Sequence, residues 1–181
     1  NTLAADKASD DRLRRYPNWI SSRNLDNEVS DDVVEALIGA VTARYDIVAR
    51  YYHLKRALLG VDTLYDYDRY APLPAAEGRY QWAQAREIVL RAYGRFHPKM
   101  AEVARQFFDR SWIDAPPYPG KRSGAYSASV VPSAHPYVFM NFTGNVRDVM
   151  TLAHELGHGV HQYLAREQGM LQQHTPLTTA E

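Results

Sequence analysis

The sequence predicts a mainly α-helical protein with a small β element set just ahead of a metal-binding helix. Three observations carry that expectation. Apolar residues recur at helical spacing over most of residues 30–110. A Pro- and Gly-rich stretch starting at Ala115 then gives way to two short segments of strand-forming residues. Finally comes Asp148-Val-Met-Thr-Leu-Ala-His-Glu-Leu-Gly-His-Gly-Val-His161, in which His154-Glu155-Leu156-Gly157-His158 fits the pattern H-E-x-x-H.

Taken in order, residues 1–27 are polar, with a helix expected around Asp10–Arg23 and broken at Pro17. Ser30 is placed to cap a helix whose first turn holds Asp31 and Asp32. From Val33 to Leu58 the apolar period continues to Gly60, a natural helix-ending residue, so one helix of about thirty residues is expected. Val61–Pro74 reads as a turn-rich aromatic segment, Leu64-Tyr-Asp-Tyr-Asp68 included. Its alternating Tyr and Asp could form a ligand loop, but packing and hydrogen bonding between helices is the favoured role. Further helices are expected over Arg79–Phe96 and from Pro98 to Arg110, Pro98 suiting a first helical position. Ala115–Gly124 is a loop, and Ala125–Val131 and Tyr137–Phe142 are expected as two strands of a hairpin or small sheet. Gly144-Asn145 opens the motif helix, along which Val149, Leu152, Ala153, Leu156, Val160 and Leu164 share helical spacing. Three regions result: helical over 1–114, β and loop over 115–145, and the zinc helix, loop and next helix over 146–181.

Composition narrows the partners. With 181 residues and 45% hydrophobic content, the chain can bury a sizeable core. Lys+Arg and Asp+Glu balance at 21 each, so no global field favours nucleic acid or an acidic membrane, and neither partner is expected. No apolar run reaches membrane-spanning length. Cysteine is absent, which excludes disulfides and thiolate metal sites, so a metal must be held by His and carboxylates. That composition fits a reducing compartment, and a cytoplasmic setting is expected. The first residue is Asn1 rather than Met, so the natural start is expected upstream.

The motif carries the chemistry. A helix advances about 100° and 1.5 Å per residue, so His154 and His158 sit about 40° and 6 Å apart on one face. Two imidazoles so placed can close on one zinc ion at about 2.0–2.1 Å each. Glu155 lies about 60° from His158, positioned to reach a water rather than the ion. Gly157 costs roughly 1 kcal/mol relative to Ala inside a helix, which suggests that something packs close there.

A catalytic zinc site usually takes three protein ligands and leaves one position open. His161 is about 10 Å along the axis from His154, too far to share the ion, and suits helix-face packing. Glu167 lies about 180° round the helix from His158. The metzincin pattern fails, because His161 and Leu164 stand where it needs Gly and His. His174 stays open. Glu181 is the best geometric candidate, since Thr175-Pro176 reads as the cap and first residue of a helix that could return it to the metal.

At this point the chain resembles the oligoendopeptidase F family, relatives of thimet oligopeptidase. The matching stretches are Arg23-Asn-Leu-Asp-Asn-Glu-Val-Ser30, Leu64-Tyr-Asp-Tyr-Asp68, Gly120-Lys-Arg-Ser-Gly-Ala-Tyr126, His135-Pro-Tyr137, Asn141-Phe-Thr143, the H-E-x-x-H segment and Thr175-Pro-Leu-Thr-Thr-Ala-Glu181. The resemblance implies a neutral zinc endopeptidase for short peptides, with one zinc ion per site. It implies a helical fold with a zincin-like core, a channel between helical halves and a small sheet beside the site. Carried over by motif, His154, His158 and Glu181 would hold zinc and Glu155 would be the general base. Family members are several times longer, so residues 1–181 are expected to be a central fragment of the catalytic domain, completed by the rest of the polypeptide.

A substrate could add as an extended strand to Gly124–Val131 or Tyr137–Phe142. Gly124, Ala125, Tyr126, His135 and Tyr137 are therefore candidate peptide-contacting residues, although packing is an equal role for His135 and Tyr137. Two other readings remain. A zinc carboxypeptidase would need a cationic group for a free C-terminus, and none is identified. A helical interaction module with structural zinc would need a fourth protein ligand from His161 or His174.

Overall fold

The computed structural model of the protein describes residues 1–73 and 78–181. It divides into two units, one of Asn1–Leu73 with Thr175–Glu181, the other of Pro74–His174.

The first unit is helical. Helix α1 is Thr2–Arg14 and helix α2 is Ser21–Asp26, where one helix interrupted by Pro17 is expected over 10–23. Arg15 ends α1 in the left-handed region at φ 57°, and the Tyr16 amide turns back to the Asp11 carbonyl at 2.9 Å. Pro17 then keeps the residue before it out of the helical region. The expected thirty-residue helix is likewise two: α3, Asp31–Thr42, and α4, Tyr45–Leu59. Arg44 leaves helical geometry at φ −120°, and its amide reaches only three residues back, to Val41. The Thr42 hydroxyl bonds the Ile38 and Gly39 carbonyls at 2.8 and 3.1 Å, which offers the chain an alternative to the helical ladder. Both ends agree with expectation. Ser30 occupies the cap position of α3, where it bonds the Asp32 carboxyl and lowers its pKa. Gly60 closes α4 at φ 66°.

The Tyr- and Asp-rich segment forms a 3-10 turn, Asp66–Tyr70, rather than plain loop. Asp68 accepts the Tyr65 amide at 3.0 Å, Tyr65 stacks on Tyr67, and buried Lys55 donates to the Arg69 carbonyl at 2.7 Å. Pro74, the last residue assigned to this segment, lies outside the described residues. Helix α8, Leu177–Ala180, is capped at Pro176, one residue later than expected, because Pro176 itself takes an extended ψ of 136° rather than a helical one. The Thr178 amide lies 3.4 Å from its acceptor, Asn27 Oδ1, on the end of α2.

The second unit holds the buried core. Helix α5, Trp82–Phe96, contributes Ala85, Val89, Leu90 and Tyr93; helix α6, Pro98–Asp109, contributes Ala101, Val103, Ala104 and Phe107. Strands β1 (Ile113–Asp114), β2 (Tyr126–Ala128) and β3 (Tyr137–Phe139) form a sheet in the order β1-β3-β2. The β2–β3 pair is the expected hairpin, antiparallel with Ser127 opposite Val138. Strand β1 is additional and pairs parallel to β3. Two residues are too few to show the period that reveals strands. Its pairing continues beyond them through Met140 to Asp114 and Phe142 to Ala115 amide–carbonyl bonds of 3.0 and 2.9 Å.

Helix α7, Val146–Ala165, lies against α5, α6 and the sheet and buries Val149, Leu152, Leu156 and Val160, as the apolar period predicts. Only Leu164 of that series is exposed. Burying such side chains contributes about 1.5–3 kcal/mol each. No helix among the described residues is long and apolar enough to cross a membrane.

Gly159 is where α6 presses on α7. A Cβ there would meet Phe107 ring carbons at 2.8 and 2.9 Å, and Phe107 is fully buried. Gly159→Ala is therefore expected to lower stability by about 1–3 kcal/mol, seen as a reduced Tm. The loss should shrink in a Phe107→Leu background. An undiminished loss there would place the strain elsewhere.

Candidate metal centre

The start of α7 is held at several points. Asn145 caps it, its side chain accepting the Asp148 amide at 2.9 Å. The Asp148 Oδ2 atom in turn accepts the Thr143 amide and hydroxyl at 2.6 and 2.8 Å and the Gly144 amide at 2.9 Å. A carboxylate here also faces the positive end of the helix dipole. Gly144 needs its φ of +92°, and a Cβ on it would lie 2.8 Å from the Tyr80 carbonyl oxygen. The Tyr80 amide donates to the Gly144 carbonyl at 2.7 Å, which ties the segment before α5 to the residue before the cap of α7. Further along, Ser127 of β2 donates to Gln162 at 2.8 Å, fixing the strand to the helix.

On this helix the two histidines meet as expected. The Nε2 atoms of His154 and His158 are 3.0 Å apart, with ring centroids 4.6 Å apart and planes at 87°. Two nitrogens bound to one tetrahedral zinc at 2.0–2.1 Å would be separated by about 3.3 Å. The pair therefore fits such an ion with a shift of a few tenths of an ångström, and imidazole nitrogen is a suitable donor for it. His154 is exposed and His158 half-buried, so the pair faces accessible space while Glu155 between them is buried. The other face of the same turn is dry: Leu152 and Leu156 are fully buried.

Glu181 ends α8 and belongs to the first unit. Gly124 precedes β2 at φ +91°, Ala125 packs against the core, and Tyr126 stacks on Phe139 at 4.9 Å with its edge exposed. His135 lies flat on Trp112, 3.9 Å between centroids and 9° between planes. Tyr137, half exposed, leans on His135 at 4.4 Å. The two candidate docking strands differ in their pairing. Val138 and Phe139 are paired on both sides, whereas β2 among the described residues pairs only with β3.

Two supports escape sequence reading. Asp148 is three positions after Asn145, a capping-box spacing with Asp in place of Glu. Tyr93 is sixty positions from the carbonyl it touches, that of Ala153, and only the cost of Gly157 hinted that such a neighbour exists.

Comparison with known proteins places this arrangement. Peptidase family M3 matches residues 1–181. The chain belongs to this family. It is 28% identical over 157 residues to oligopeptidase PepF of Bacillus subtilis, covering 86% of this chain and 23% of that protein. It is 32% identical over 159 residues to the group B oligopeptidase PepB of Streptococcus agalactiae, covering 86% and 26%. A crystal structure from Chlamydophila abortus, assigned as a peptidase, superposes with a TM-score of 0.69 at 28% identity, covering 91% of this chain and 27% of that one. The chain thus spans about a quarter of the length of its M3 relatives. Its mainly helical architecture with a small sheet is the M3 fold over that quarter, and the oligoendopeptidase F resemblance is borne out.

The Asp148 cap gives a direct test. Asp148→Asn keeps the shape but weakens the acceptor and removes the charge at the helix start. It is expected to destabilise by about 1 kcal/mol. Thermal melting measures this, and the effect should diminish at high salt.

Proposed function

We propose that this chain carries the metal-binding and proton-transfer groups of a zinc-dependent endopeptidase acting on oligopeptides. The observation that supports it most directly is the 3.0 Å approach of His154 and His158 Nε2 on one helix face, with Glu155 between them in sequence. The relatives named oligopeptidases point to the same substrate class. His154 and His158 would hold zinc, with Glu181 as the third ligand, a role supported by its motif and its spacing from His158. When bound, zinc supplies Lewis acidity and lowers the pKa of water.

The chain's own residues have distinct tasks. Glu155 would take the proton of the attacking water and deliver it to the leaving amine. Its buried setting limits competition from bulk solvent for that proton. The outer edge of β2 would take the peptide as an added strand, with Gly124, Ala125 and Tyr126 beside it. The Ser127–Gln162 bond holds that strand against α7, so docking along β2 would orient a scissile bond relative to the histidines. His135 has a packing role in this scheme, and Tyr137 would flank the peptide. A cytoplasmic setting is the corresponding proposal for where the protein works.

In the full-length protein, Glu155→Gln should retain zinc while kcat falls by about 10²–10⁴-fold, the usual size of a general-base contribution. His154→Ala should lose zinc, measured by metal analysis after dialysis. Wild-type turnover in Glu155→Gln would remove this residue from the mechanism. Blocked internal peptides should be cleaved as well as free-ended ones; cleavage of free C-termini alone would make the enzyme a carboxypeptidase.

A further inference from the structure

Gly157 and Gly159 flank His158, and each opens the surface of α7 to a different helix. On the Gly159 side the visitor is the Phe107 ring, which only packs. On the Gly157 side it is a polar group. The Tyr93 hydroxyl, carried on α5, donates to the carbonyl oxygen of Ala153, the residue immediately before His154. In an α-helix that carbonyl also accepts the Gly157 amide, so the hydroxyl adds a second donor to the bond spanning the motif turn. A Cβ on Gly157 would lie 3.3 Å from the Tyr93 oxygen, tighter than ordinary contact. The glycine therefore leaves the room this hydroxyl occupies.

The rest of Tyr93 is suited to hold that oxygen still. It continues the buried series Ala85 and Val89 along α5, each four residues on, and its ring is part of the core. Burial pushes its phenol pKa well above the ordinary value, so the hydroxyl remains a donor at any working pH. A rigid ring ending in a protonated donor can fix both the axial position and the rotation of the helical turn it touches.

We propose that Tyr93 is a positioning residue for the metal site, its hydroxyl holding the turn that presents His154 and His158 at a common point. The inference rests on the zinc-site reading above. In this role Tyr93 acts through the backbone of the ligand-bearing turn, by its bond to the Ala153 carbonyl. Groups that orient metal ligands from outside are known to influence affinity by one to two orders of magnitude. A hydroxyl acting one peptide away belongs at the low end of that effect.

The test is Tyr93→Phe in the full-length protein, which keeps the ring and removes the donor. Zinc affinity is measured by competition with a chromophoric chelator, beside Tm, kcat and KM. Val103→Ala, a buried α6 change that removes no hydrogen bond to α7, serves as the control for general loosening. The expected result is zinc bound about tenfold more weakly in Tyr93→Phe, with kcat reduced and KM little changed. Val103→Ala should lower Tm without weakening zinc. Wild-type zinc affinity in Tyr93→Phe would overturn the positioning role while leaving the zinc-site reading intact. Equal weakening in Val103→Ala would also overturn it, because packing alone would then be responsible. A wild-type protein that takes up no zinc would sink the zinc-site reading and this inference together.

Discussion

Close approach at two missing Cβ atoms governs the second unit. Helix α7 must carry solvent-facing histidines on one side and press against α5 and α6 on the other, within the same two turns. Gly157 and Gly159 make this possible by removing side-chain bulk where Tyr93 and Phe107 arrive. Helix-interior glycine is unfavourable by itself, at about 1 kcal/mol relative to Ala. Here that cost is offset by packing, because Phe107 is fully buried against Trp112 and the helix surface. The motif turn is thus held in place for the same reason that the core is dense.

The sheet and its loops serve this helix. Lys121 illustrates how: its side chain is almost wholly buried, yet its ammonium donates to the Asp114 and Pro116 carbonyls at 3.1 and 3.0 Å and pairs with the Asp114 carboxylate at 3.0 Å. A buried ammonium is tolerated only when so fully partnered. These contacts tie the loop at Lys121 back to Asp114 of β1, which pairs with β3 in the middle of the sheet. In that order β2 lies at one side of β3, and its Ser127 bonds Gln162 on α7. Strand order, helix capping at Asp148 and the glycine contacts all converge on one short stretch of α7.

Legibility varied with the range of the deciding interaction. The motif helix, α5, α6 and the β2–β3 hairpin could be read because each repeats a local period over several residues. The ends marked by Asn145 on α7, Gly60 on α4 and Pro98 at the start of α6 could be read because capping is local chemistry. The break between α3 and α4 could not, since Val41 and Tyr45 keep the apolar period across it while the Thr42 hydroxyl diverts carbonyls that periodicity ignores. Strand β1 escaped for lack of length. His135 could be read equally for lining a channel or for packing, and its stack on Trp112, twenty-three residues earlier, is a contact no local pattern records.

By itself the sequence determined the chemistry on offer: His154 and His158 one turn apart, Glu155 between them, and no thiol to compete. Helical periodicity makes that a consequence of spacing alone. Only the tertiary structure decided how those groups are held, because Tyr93, Phe107 and the order of the strands reach α7 from distant parts of the chain. A one-dimensional pattern records which atoms are available. Which of them meet depends on the few ways three helices and a small sheet can pack without voids or overlap.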